Sequence, residues 1–82
     1  MGYLEDLADK LAQDVLKAQD ALGEDRLYME VARELAAASN TLEEAFLTSV
    51  RVRLAERRAR RFLIERVRKG RGGAVPPEDG TT

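Results

Sequence analysis

The chain contains no cysteine, no histidine and no tryptophan, and only two residues each of Pro, Met, Tyr and Phe. Without Cys it has no disulfide, no thiol nucleophile and no thiolate metal ligand. Without His it lacks both the usual acid/base at neutral pH and the commonest metal ligand. A carboxylate-bridged di-metal bundle would also want Glu-x-x-His motifs. Catalysis by carboxylates is chemically open, but the one adjacent glutamate pair, Glu43 and Glu44, is accounted for by helix capping. The sequence therefore assigns no catalytic, cofactor-binding or metal-ligating residue, and the expectation is a non-enzymatic protein that uses no cofactor.

Long hydrophobic runs are also missing: none approaches the roughly 18 apolar residues of a membrane span. The opening stretch "MGYLEDLADK" is acidic where a secretory signal would be basic, and Asp6 sits where a myristoylation motif needs Ser or Thr. A cytoplasmic location is expected. With 82 residues the chain can bury only a thin core. Disulfides and metals are closed to it, so stability has to come from near-ideal helix packing, from oligomerisation or from docking on a partner.

What the chain does have is helix-forming residues in helical periodicity. Leu4, Ala8, Leu11, Val15, Ala18 and Leu22 follow a 4-3-4-3-4 spacing, flanked by Leu7, and predict a helix over 4–22. Glu5, Asp6 and Asp9 suit the positive end of its dipole. "LGED" interrupts the pattern. Gly23 suits a C-terminal cap and Asp25 the start of a second helix to about Ala38, with a single bent helix over 4–38 as the alternative. That second segment carries two apolar faces, Leu27, Val31 and Leu35 against Met29, Ala32 and Ala36.

In "SNTLEEAF", Thr41 with Glu44 fits a capping box, and Asn40 with Glu43 offers a second register. From Thr41 to Lys69 there is no Gly or Pro, so one helix of about 40 Å is expected. Its apolar stripe shifts along the way. Leu42, Phe46, Val50 and Leu54 share one side; Val52, Ala55, Ala59, Phe62, Leu63 and Val67 gather on another. Residues 70–82, "GRGGAVPPEDGTT", offer only Ala74 and Val75 to bury and are expected to form a disordered tail. The predicted architecture is thus all-α: one helical domain over 1–69 with two shorter helices and a long third, or a bent helical hairpin, completed by oligomerisation.

Charge is divided along the chain. Residues 1–50 carry four basic and eleven acidic side chains, a net of −7, whereas residues 51–82 carry ten basic and four acidic, a net of +6. Eleven of the fourteen basic residues are Arg, which with the abundant Ala suggests a GC-rich bacterial source. Such asymmetry concerns association more than fold. Arg53, Arg57, Arg60, Arg61 and Arg68 share a ridge of the third helix that could track phosphates or an acidic partner.

Several features weigh against nucleic acid. The pI is about 5.5, the only interleaved aromatic is Phe62, and no zinc-finger or RNA-recognition signature is present. The alternative pairs the basic half of the third helix with the acidic first helix, antiparallel, through Asp9, Asp14, Asp20, Glu24 and Asp25, within one chain or between subunits. The resulting expectation is a cytoplasmic accessory or adaptor protein that forms a homo-oligomer, most simply a dimer, and binds a larger protein. Val52, Ala59, Phe62, Leu63 and Val67 are its expected interface. A nucleic-acid-binding regulator using the arginine ridge is the second expectation.

Overall fold

A computed structural model describes residues 2–70 as three helices, α1 (Tyr3–Leu22), α2 (Leu27–Ala38) and α3 (Asn40–Gly70), with no strand among the described residues. The fold is all-α, as the periodicity required. Gly70 is the last residue of α3. The rest of the expected tail, 71–82, lies outside the described residues.

The first break falls where the sequence puts it. Gly2, in extended conformation, donates its N–H to Glu5 Oε1 at 3.3 Å, and its carbonyl accepts from Asp6 N at 3.0 Å. At the other end Gly23 adopts φ 70°, ψ 30° and donates to the carbonyl of Gln19 at 2.8 Å; Glu24 N reaches the same oxygen at 3.1 Å. That left-handed conformation is the one glycine adopts without penalty at a helix end.

The start of α2 differs from expectation. Asp25 does not open the helix. Arg26 precedes its first residue and no side chain of the loop caps it. Instead the N–H of Tyr28 donates to Oε1 of Gln19 at 2.8 Å. Gln19 is the one buried polar residue among the described residues. The reversal at Gly23 lays the first turn of α2 against the last turn of α1, so a buried amide from α1 meets the free helix-start N–H that a local cap would otherwise satisfy.

The second connection is a single residue. Ser39 is extended (φ −159°, ψ 109°) and donates to the carbonyl of Leu35 at 2.6 Å, closing α2. Its Oγ accepts from Leu42 N at 3.1 Å and its carbonyl from Glu43 N at 3.0 Å, opening α3. The expected capping box at Thr41 or Asn40 is therefore replaced: Asn40 is already helical, and Ser39 serves both helices.

Seven apolar residues form the buried core: Ala8, Ala12, Val15 and Leu16 of α1, Ala32 of α2, and Phe46 and Val50 of α3. Phe46 and Val50 are its largest fully buried side chains. Ala8 and Ala12 are fully buried and let the helices approach closely, and Leu11, Leu27, Val31, Leu35, Leu42 and Leu54 seal the margin.

Two chain reversals set α1 and α3 in the same sense. Asp9 meets Arg53 and, further along both helices, Asp20 meets Arg57. The antiparallel pairing expected from charge is thereby corrected within the chain. Gly23 makes a full reversal rather than a bend, which takes Asp9 and Asp14 away from residues 66–69.

Because α1 has 20 residues and α2 has 12, neither matches the 31 of α3. The core and its margin end at Leu54, and every residue from Ala55 to Arg66 is exposed. Beyond Arg57, the last residue to bond α1, α3 continues to Gly70 as an arm of about 20 Å at 1.5 Å per residue.

Candidate interaction surface

Two arginines of the predicted ridge reach across to carboxylates of α1. Arg53 grips Asp9 with two hydrogen bonds, Nε to Oδ1 at 2.8 Å and Nη2 to Oδ2 at 2.7 Å. The Asp9 carboxylate also accepts from Gln13 Nε2 at 3.2 Å. The fork of the Arg53 guanidinium holds the Asp9 carboxyl well below its ordinary value of 3.8, at about 2, opposed by partial burial and aided by Gln13 and Ser49. Arg53 is in turn held protonated by the carboxylate. Arg57 makes a looser fork on Asp20, at 3.3 and 3.1 Å, with both side chains largely in solvent.

These pairs belong to the three-helix body. They fasten α1 to α3 and leave Arg53 and Arg57 with carboxylate partners before any external anion arrives. Glu24 and Asp25, the other acids expected near this part of α3, form no ion pair among the described residues.

Further along, partners become local. Arg60 is clamped by Glu56 one turn earlier on the same helix. Arg68 approaches Glu65 only to 3.8 Å. Among the described residues Arg58, Arg61, Arg66 and Lys69 have no carboxylate partner. The arm, residues 58–70, contains six basic side chains and one acidic. It is a dense positive charge beside an acidic body.

The arm is also apolar. Phe62 is 67% exposed, Leu63 56% and Ile64 49%. Val67 is half-buried, and with Leu63, Ile64 and the stem of Arg68 it lines a shallow depression. Lower on α3, Val52 is 62% exposed at the lip of a groove between α1 and α3, which Gln13, Leu16, Lys17 and Glu56 also line. Of the five residues expected at an interface, Val52, Ala59, Phe62 and Leu63 are exposed and Val67 is half-buried.

Compared with known proteins, the chain matches no family model, no curated protein and no solved structure.

Ile64 stands outside the predicted interface because at 100° per residue it lies well off the stripe of Val52, Ala59 and Leu63. The direct signal was the uninterrupted "FLI" run inside an arginine-rich helix. A mixed apolar and cationic helix face can bury hydrocarbon against a partner while its guanidinium groups meet carboxylates or phosphates at the rim. No helix among the described residues is long and apolar enough to cross a membrane.

Proposed function

We propose that this protein is a small non-enzymatic adaptor of the cytoplasm. It self-associates and binds a larger protein partner, with the outer face and arm of α3 as its contact surface. The observation that carries the reading is the projection of α3 past its neighbours, with Phe62, Leu63 and Ile64 in water beside the guanidinium groups of Arg58, Arg61 and Arg66, which have no carboxylate partner among the described residues. Burying a Phe or Leu side chain from full exposure is worth about 1.5–3 kcal/mol. An exposed apolar cluster rimmed by charge is the usual mark of an interaction site. The arginines select a partner with an acidic rim.

The test is affinity capture from the native cell with the full chain and with a variant carrying Phe62→Ser and Leu63→Ser. A protein retained by the wild type and lost by the variant, with helical circular dichroism unchanged, is the expected result. Identical captures would dismiss the surface.

The second reading, a nucleic-acid-binding regulator, is favoured by Arg58, Arg61, Arg66 and Lys69 lacking carboxylate partners among the described residues. It ranks lower because Arg53 and Arg57 are engaged by α1 and the arm has a single aromatic residue for base stacking. Retardation of DNA or RNA near physiological salt, lost on replacing Arg58, Arg61 and Arg66 by Glu, would reverse the order.

A further inference from the structure

Resting on the self-association reading, the geometry points to a specific occupant for the outer face of α3: the same face of a second copy, laid antiparallel, with Phe62 of each copy on Val52 of the other. Thr48, Val52, Ala55, Ala59 and Phe62 recur at 4-3-4-3 spacing and all are exposed. At 100° per residue they lie opposite Phe46, Val50 and Leu54, which face the core. This is a two-helix seam pattern on a face that the fold leaves uncovered. Alanines at its centre allow the axes to approach to the short end of the usual 8–10 Å range.

Charge sets the direction. A parallel pair would lay two arms side by side, each with six basic side chains and one acidic. An antiparallel pair instead lays each arm along the other copy's residues 44–56, where Glu44 and Glu56 balance Arg51 and Arg53, so the arms no longer repel each other, and it also opposes the two helix dipoles.

Charge and size together set the register. With Ala55 opposite Ala59, the two large side chains of the seam, Val52 and Phe62, meet twice by symmetry. Arg51 of each copy then lies beside Glu65 of the other, and among the described residues Glu65 is held within its own chain only by the 3.8 Å approach of Arg68. Sliding one heptad toward the start of α3 would set Phe62 on Ala45 and bring Arg51 against Arg58 and Glu44 against Glu65. Sliding the other way would set Val52 against Lys69. In the chosen register Arg58 and Glu56 each face their own counterpart near the two-fold axis. Both are at the solvent edge, where such contacts cost little, and Glu56 is already clamped by Arg60.

Sedimentation of the full chain with Arg51→Glu, with Glu65→Arg and with both substitutions tests the arrangement. Each single change turns two attractive contacts into two repulsive ones and is expected to weaken dimerisation about ten-fold, with the double variant restored to within about three-fold of wild type. Both sites are exposed, and circular dichroism verifies that the fold survives. Since the chain has no cysteine, an introduced one is unique. A short bismaleimide should link the Arg58→Cys variant into dimers and leave the Lys69→Cys variant unlinked, because the two Lys69 positions are about 36 Å apart in this register. A dimer that links through Lys69→Cys, or shows no rescue, overturns the antiparallel register while sparing self-association. A chain that stays monomeric overturns both.

Discussion

Breaking the fork between Asp9 and Arg53 gives a prediction whose size and pH dependence both follow from geometry. The pair joins α1 to α3 across the edge of the core by two charge-assisted hydrogen bonds, but the side chains are 40% and 39% exposed. The depression of the Asp9 carboxyl from 3.8 to about 2 therefore has to be discounted for screening by water. About 1 kcal/mol of coupling remains, the upper end for a partly exposed bidentate pair.

A double-mutant cycle with Asp9→Ala, Arg53→Ala and both, followed by urea unfolding, isolates that coupling from the packing of the arginine stem. In a domain of this size about 1 kcal/mol corresponds to a shift in Tm of roughly 4–8 °C. Because the folded value lies below the unfolded one, the stabilisation is complete only above about pH 5. It fades as pH falls through 3.8 toward about 2. Coupling below about 0.2 kcal/mol near neutral pH, the floor for exposed pairs, or coupling that persists undiminished at pH 2, would refute the reasoning.

Phe46→Ala should empty the centre of the core at about 3–5 kcal/mol, comparable to all that a core of this size supplies, and so abolish the cooperative thermal transition. Gln19→Ala should lower unfolding free energy by about 1–2 kcal/mol in urea titrations, because the N–H of Tyr28 loses its acceptor. A Gly23→Ala chain should lose about 1 kcal/mol by the same measurement. An added Cβ would meet no atom within 4 Å, so the loss reports the left-handed backbone alone.

Local signals are legible in the sequence where the chain itself supplies the partner, although the predicted stripe of α1 ends on the exposed Leu22 and leaves out the buried Ala12 and Leu16. The stripe through Ala8 and Val15, the stop at Gly23 and the core side of α3 at Phe46 and Val50 are all encoded within a few residues of where they act. What was illegible depends on residues far apart in sequence. Gln19 caps α2 from another helix, and nothing in its neighbourhood marks a glutamine as a cap. Ser39 displaces Thr41 because one extended residue suffices between α2 and α3, and the sequence pattern S-N-T offers three candidate caps in a row. The partner of Asp9 turned on whether Gly23 bends the chain or reverses it. Charge asymmetry alone favoured the antiparallel answer, whereas packing of three helices about Phe46 imposed the parallel one. The interface residues were legible as apolar positions on the wrong side of α3, although their projection beyond the body emerges only once the lengths of α1 and α2 are fixed.

The most direct test of the central claim, that the uncovered face of α3 is an association surface, is sedimentation equilibrium of the full chain at concentrations from about 1 to 100 μM, compared with the Phe62→Ser, Leu63→Ser variant. The account predicts a mass that rises toward twice the 9.1 kDa of one chain, and a variant that remains at the single-chain mass with its helix content intact. A wild-type chain that sediments at 9.1 kDa throughout, indistinguishable from the variant, would contradict it.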